Sequence, residues 1–151
     1  MTIAIKPIGV VASPVTETID EGWGDVVSEI RLRPDLAAGL RGLESFTHVI
    51  VVFWMHASEF DSATHLVRHH RDRTDMPKTG IFAQRARHRP NPIGITPVRL
   101  IGIDGATIRV QGLDAIDGTP VLDVKPHVPA FDRIDEATVP AYIDLLMADY
   151  F

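Results

Sequence analysis

The stretch Phe46–Met55 (FTHVIVVFWM) is the strongest strand signal in the chain, because β-branched and aromatic residues fill most of it. A continuous apolar run of this length is typical of a strand that is buried on both faces. The run Val49–Met55 is the longest apolar one in the chain and is far too short to cross a bilayer. We therefore predict a central strand here and no membrane segment.

Weaker strand signals lie on both sides of this run. They are Ile3–Ala12, Val26–Leu32, Gly80–Ala83, Ile95–Ile103, Thr107–Leu113 and Pro120–Val124. Asp104-Gly105 and Asp117-Gly118 separate the last three strands, as tight hairpins require. Residues 58–78 fit either a helical turn or a strand, and we predict a strand.

Two helices are predicted outside these strands. Pro34–Leu40 (PDLAAGL) begins with Pro and has apolar residues at helical spacing. Thr138–Met147 would place Val139, Tyr142, Ile143 and Leu146 on one face. Many short strands joined by Gly and Pro turns indicate a mainly β protein. We predict a single-domain antiparallel β-barrel, spanning residues 1–151, with one or two peripheral helices.

Composition supports an ordinary globular protein of 151 residues, with 45% hydrophobic and 23% charged residues. The chain has no cysteine, which excludes disulfides and cysteine-held metal sites. The N-terminal MTIAIKPIGVVASP lacks the basic start, apolar core and cleavage site of a signal peptide. We therefore expect a cytoplasmic protein.

Charge is distributed unevenly along the chain. The formal net charge is −5, yet residues 68–89 contain seven Lys or Arg and only two Asp, so this segment carries +5 and the remainder −10. His69, His70 and His88 lie in the same segment. It is either a solvated loop or a site for an anion, such as a phosphate backbone or a cofactor carboxylate.

The most unusual segment is Phe82–Gly94 (FAQRARHRPNPIG), which joins two apolar strands. Two prolines restrict its backbone, so we predict an ordered loop over residues 84–94. Its arginines have planar forks that suit carboxylate or phosphate, and His88 can act as a base. The alternative is an Arg-rich loop that only ties the barrel together.

Other polar clusters are less specific. Asp114, Asp117 and Asp123 lie beside Lys125, but Asp117 precedes Gly and is better explained as a turn cap. His65 and His69 would share one face of a helix, yet no third ligand is in register, so we expect no metal site. The chain also lacks a glycine-rich nucleotide-binding motif, which argues against a Rossmann-type enzyme.

Four segments, in order, resemble the TrmO (TsaA-like) family of tRNA N6-threonylcarbamoyladenosine methyltransferases. They are IGVVASP (residues 8–14), GLESFTHVIVVFWMH (42–56), GIFAQRARHRPNPIG (80–94) and LDAIDGTPVLDVKPHVP (113–129). The resemblance covers residues 3 to about 132, and HRPNPIG together with DGTPVLDVKP is its most specific part. It implies a β-barrel homodimer that methylates tRNA with S-adenosyl-L-methionine (SAM).

The resemblance also implies which residues hold the cofactor. They are Glu21, Gly22, Trp23, Met55, His56, Ala57, Arg85, Ile95, Leu113, Asp117, Gly118, Thr119 and Pro120. By the same reasoning, Arg87, Arg89, Asn91 and Lys125 contact the substrate, and His56 or His88 serves as the base. A non-catalytic SAM- or RNA-binding module and a methyltransferase of a small-molecule or protein acceptor are the alternatives.

The chain departs from the family pattern at several positions. Many members have ATRSPHRPN where residues 83–91 are AQRARHRPN, and His127 replaces the usual Tyr. Residues 19–24 (IDEGWG) stand where the longer members have a PRQPG-like motif. The longer enzymes also have a C-terminal domain after the region that matches this chain, and that domain is thought to help with tRNA.

Overall fold

The computed structural model describes all 151 residues and contains a closed barrel of six antiparallel strands. Around the barrel the order is β1-β2-β7-β6-β3-β8, and β8 pairs with β1 to close it. The strands are β1 (Gly9–Ala12), β2 (Val27–Leu32), β3 (His48–Trp54), β6 (Ile93–Asp104), β7 (Thr107–Gln111) and β8 (Pro120–Pro126). The prediction of a mainly β, antiparallel barrel is confirmed.

Side chains that alternate along each strand fill the barrel interior. On β3, Val49, Val51 and Phe53 are buried, and β6 contributes Val98 while β7 contributes Ile108. Each such side chain contributes roughly 1.5–3 kcal/mol through removal of its apolar surface from water. The interior is therefore a packed core, so a ligand has to bind at an end or on the outside of the barrel.

The prediction that β3 is buried on both faces is wrong. His48 is exposed, and Ile50, Val52 and Trp54 are only half-buried, so one face of the strand is covered incompletely. In an antiparallel barrel only the inward face must pack, because few elements cover the outside. The continuous apolar run reflects partial cover on the outer face and full burial on the inner face.

The structure also changes the start of the first strand and defines the type of the first helix. The first strand begins at Gly9, not at Ile3, and the side chains of Ile3 and Ile5 are exposed. Pro34–Leu40 is a 3-10 helix and not an α-helix. Propensity and spacing do not separate these two helix types, which differ by only one residue in their hydrogen-bond span.

Residues 58–83 form an excursion between β3 and β6 that is neither a single strand nor a single helix. It contains helix α1 (Ser62–His65), strands β4 (Val67–His69) and β5 (Lys78–Gly80), and a 3-10 turn at Ile81–Ala83 where a strand is predicted. The strands β4 and β5 pair only with each other. His65 ends α1 while His69 lies in β4, so the helix that would align them is absent, and no group of three or more acidic or histidine side chains could hold a metal ion.

Helices α2 (Pro129–Asp132) and α3 (Ala141–Met147) complete the fold. Helix α3 begins three residues later than predicted, and Val139 lies outside it with an exposed side chain. Leu146 is buried, and Tyr142 and Ile143 are half-buried, so the predicted apolar face is present over the last two turns. None of the helices is long and apolar enough to span a membrane.

Substitution of Gly9 by Ala is expected to destabilise the barrel by roughly 1–3 kcal/mol, the usual cost of overpacking a tight site. A Cβ at Gly9 would lie 2.4 Å from the carbonyl oxygen of Arg31 on β2, and backbone cannot move aside easily. Gly102→Ala is the matched control on β6, since a Cβ there meets nothing within 4 Å. Chemical denaturation measures both variants, and equal losses would contradict the steric explanation.

Candidate active-site cleft

A cleft of about 1090 Å³ opens beside the ends of β3 and β6. This exceeds the volume of roughly 300–1,000 Å³ that small-molecule sites usually have. The excursion of residues 58–83, the loop of residues 84–92 and the C-terminal residues around Tyr150 form its walls. It is large enough for a small cofactor together with part of a second, larger substrate.

The structure brings many of the predicted site residues together in this cleft. Those that line it are Trp23, Met55, His56, Ala57, Arg85, Arg87, His88, Arg89, Ile95 and Thr119. The predicted residues outside the lining are Glu21, Gly22, Asn91, Leu113, Asp117, Gly118, Pro120 and Lys125. The cleft therefore joins segments from four separate parts of the chain, while the remaining assignments rest on the resemblance alone.

The loop predicted at residues 84–94 ends two residues earlier, because β6 begins at Ile93, and Arg89 holds the loop of residues 84–92 together. One guanidinium nitrogen of Arg89 donates to the carbonyl oxygens of Gln84 at 2.8 Å and Ala86 at 3.1 Å. The side chain of Gln84 is buried and donates to the carbonyl oxygens of Arg68 and Thr79. Part of the arginine content is therefore structural, as the alternative interpretation of this loop requires.

Arg85 and Arg87 have a different environment from Arg89. Arg85 donates to the carbonyl oxygen of Ile95 at 2.6 Å, which directs its guanidinium along the start of β6. No carboxylate pairs with Arg85, Arg87 or Arg89, although six other ion pairs occur in the molecule. An Arg85 fork that is held in place and lacks an acidic partner is suited to an anionic ligand.

His88 is held through both of its ring nitrogens. Arg87 Nε donates to His88 Nε2 at 3.2 Å, so the proton of a neutral ring lies on Nδ1, which is 2.8 Å from the carbonyl oxygen of Glu59. The ring also stacks on His65, with 4.7 Å between the centroids. Burial, followed by the charge of Arg87, lowers the pKa of His88 below its ordinary value despite the bond to Glu59. This arrangement keeps His88 neutral and leaves no free lone pair.

His56 occupies a turn directly after β3 and is exposed at the cleft. No protein hydrogen bond engages its ring, in contrast to His88. The main chain around it is anchored, since Met55 N donates to the carbonyl oxygen of Pro92 at 2.8 Å. Of the two candidate bases, His56 is the one whose imidazole is free to accept a proton from a ligand.

Asp114 lies in a hydrogen-bonded group that the sequence does not reveal. Thr96 donates to one oxygen of Asp114 at 2.5 Å, and the hydroxyl of Tyr150 donates to the other. Burial and the adjacent charge of Asp114 raise the pKa of Tyr150 far above its usual range, so the phenol keeps its proton. Thr96 and Tyr150 come from β6 and the C-terminal segment, so no local pattern could have found this group.

Residues 117–120 and Lys125 have local structural roles. Asp117 accepts from the backbone N–H of Ser13 at 3.0 Å, which joins this turn to the end of β1. Gly118 has a φ of 80° and donates to the carbonyl oxygen of Val11. Lys125 pairs with Asp123 on the same strand at 2.7 Å and is exposed. The structure therefore supports the interpretation of Asp117 as a turn cap.

Stability is expected to fall as the pH is lowered below about 6.5, the ordinary pKa of histidine. Burial lowers the pKa of both His70 and His88 in the folded state. Between the unfolded and the folded pKa the unfolded chain binds more protons, so acidification favours unfolding. Denaturation at pH 7.5 and at pH 5.5 measures this loss of stability, and the loss should be smaller in H70Q than in the wild-type protein. H48Q is the control, because the ring of His48 is exposed. If H48Q lessened the loss of stability as much as H70Q does, the assignment of that loss to the buried histidine would be contradicted.

The chain is similar to known proteins in both sequence and fold. Residues 20–133 match the family described as tRNA-methyltransferase O N-terminal domain. The crystal structure of TrmO from Pseudomonas aeruginosa superposes with a TM-score of 0.74 and 33% identity, covering 91% of this chain and 62% of that one. The family match spans strands β2 to β8 and ends before α3.

Two further relatives are similar to this chain in sequence. An S-adenosyl-L-methionine-binding protein of Archaeoglobus fulgidus is 35% identical over 136 residues, which cover 87% of this chain and 94% of that protein. The human tRNA (adenine(37)-N6)-methyltransferase is 42% identical over 93 residues, or 62% of this chain and 21% of that protein. The chain therefore spans less than two thirds of the human enzyme and of the bacterial TrmO structure.

Proposed function

Since the chain belongs to the family of the tRNA-methyltransferase O N-terminal domain, we propose that it is an enzyme that transfers a methyl group from SAM to adenine in tRNA. The relatives support each half of this proposal, because one is named for SAM binding and another for methylation of adenine 37 in tRNA. The observation that carries it is a cleft lined both by Arg85 and Arg87, which have no acidic partner, and by the exposed His56. The cleft therefore combines a site for an anion with a histidine that is free to act as a base.

The residues of the cleft fit the chemical groups of SAM. Apolar side chains of the cleft lining, among them Met55 and Ile95, suit an adenine ring, and the fork of Arg85 suits the methionine carboxylate. Asp114 is a carboxylate of the same cleft and complements the positive charges of the ammonium and sulfonium groups. When bound, SAM supplies an electrophilic methyl group on its sulfonium sulfur.

The finer part of the proposal concerns the acceptor, which is N6 of threonylcarbamoyladenosine next to the anticodon. An N6 nitrogen that carries a carbamoyl group is amide-like and is a poor nucleophile until it loses its proton. A positioned base is therefore needed, and His56 is proposed to accept that proton. Alignment of the two reacting groups and exclusion of water by the cleft walls supply the remainder.

The remaining contacts of the proposal concern RNA and assembly. Arg71 and Arg87 both line the cleft and suit the phosphate backbone of tRNA, whereas Arg68 is paired with Asp72. The protein is proposed to act as a homodimer in the cytoplasm, supported by exposed apolar side chains near the C-terminus, namely Phe131, Ile134 and Leu145. Light scattering of the purified protein tests the dimer.

The test of the function mixes the protein with methyl-labelled SAM and total tRNA. The tRNA is then digested, and its nucleosides are identified by mass spectrometry. We expect label in N6-methyl-N6-threonylcarbamoyladenosine. Label in unmodified adenosine would keep the methyltransferase and reject the finer acceptor. SAM binding without any labelled nucleoside would favour a non-catalytic module or another acceptor.

A further inference from the structure

Phe82 is an exposed aromatic side chain at the cleft, with 78% of its surface accessible to solvent. Large apolar side chains in single exposed positions are common and need no explanation on their own. This one differs because it lies at the wall of the candidate active site, three residues before Arg85. The residues around Phe82 indicate whether its exposure serves a function.

The turn that carries Phe82 is rigidly held on both sides. Ile81 is fully buried, and its N–H donates to the carbonyl oxygen of Leu66 at 2.9 Å. Gln84 is 5% exposed, its N–H donates to the carbonyl oxygen of Ile81, and its side chain makes three further bonds. These bonds fix the backbone that carries Phe82 and leave its phenyl group uncovered. Little backbone entropy is therefore lost when a ligand binds to the ring.

The surroundings of the ring are cationic. Arg85, Arg87 and Arg89 follow in the same segment and have no carboxylate partner, while Ile93 and Ile95 form exposed apolar surface in the same cleft. A flat aromatic group beside uncompensated arginines is the combination with which proteins bind single-stranded nucleic acid, through base stacking and phosphate contacts. A purely apolar protein partner would not match this charge.

We infer that Phe82 is a stacking platform for an unpaired base of the RNA substrate at the mouth of the cleft. This inference rests on the proposed function, because it requires an RNA acceptor. An enzyme that modifies a base must hold that base outside the helical stack, and stacking on an aromatic ring compensates part of the cost. Phe82 therefore is a positioning residue that contributes to RNA affinity and does not bind SAM.

The experiment compares F82A, F82W and the control F46A with wild-type protein. Phe46 is 39% exposed and precedes β3 at the end opposite His56, away from the cleft lining. Binding of unfractionated tRNA is measured across a salt series, and binding of SAM is measured by calorimetry. We expect F82A to weaken tRNA binding by roughly 5- to 100-fold. F82W restores it, and F46A and SAM affinity remain unchanged.

The salt series separates stacking from a charge effect. Loss of a stacking ring releases no counterions, so F82A keeps the wild-type slope of log affinity against log salt. A changed slope, or unchanged tRNA affinity, would overturn the inference. A change of molecular mass of F82A in light scattering would also overturn it, because the ring would then contact a second copy of the chain.

A fluorescent base gives an independent readout. An RNA stem-loop with 2-aminopurine at the position next to the anticodon should change its fluorescence on binding to wild-type protein and differently on binding to F82A, because the base changes its stacking partner. Wild-type protein that binds no tRNA would overturn the inference together with the proposed function. The same fluorescence change on binding to wild-type protein and to F82A would overturn the inference alone.

Discussion

Substitution of His56 by Gln is expected to lower the rate of methyl transfer by roughly 10²- to 10⁴-fold, the usual contribution of a positioned general base. The imidazole of His56 is exposed to the cleft and free of protein hydrogen bonds, whereas Gln cannot accept a proton at neutral pH. A single-turnover measurement with saturating SAM and tRNA isolates the chemical step from binding.

H88Q is the matched control for H56Q, because both histidines line the same cleft. Both ring nitrogens of His88 are occupied by Arg87 and Glu59, so its replacement should disturb the loop and reduce the rate less than H56Q does. A larger rate loss in H88Q would reverse the assignment of the base. A rate loss of the same size in both would indicate that each acts through the structure of the cleft.

Substitution of Arg85 by Ala is expected to weaken SAM binding at least ten-fold, because hydrogen bonds to charged groups contribute about 1.5–3 kcal/mol. One nitrogen of the Arg85 fork is held by the carbonyl oxygen of Ile95, so the guanidinium is positioned before a ligand arrives. Calorimetric titration with SAM measures the change directly, without any dependence on the acceptor.

R31A is the control for R85A, since Arg31 is an exposed arginine on β2 outside the cleft. Its ion pair with Glu29 is surface-exposed, and such pairs contribute little. Unchanged SAM affinity in R85A would reject the carboxylate contact. Circular dichroism has to show that R85A is folded, because the lost bond to Ile95 also anchors the loop.

The sequence by itself determined the barrel and the location of the reactive loop. Period-two burial along β7 is visible in the order of its residues, and Asp104-Gly105 marks the hairpin that joins it to β6. These signals are local, because strand alternation and turn chemistry depend on neighbours within a few residues. The HRPNPIG motif likewise predicts the location of the cleft.

Only the tertiary structure distinguished the roles of residues that are chemically alike. Arg85 and Arg89 are four positions apart in one loop, yet one is directed along the cleft and the other braces backbone carbonyls. His56 and His88 differ in the same way, and Tyr150 meets Asp114 across 36 positions of sequence. Hydrogen bonding and burial of a side chain depend on distant segments that folding brings close, so composition and spacing cannot specify them.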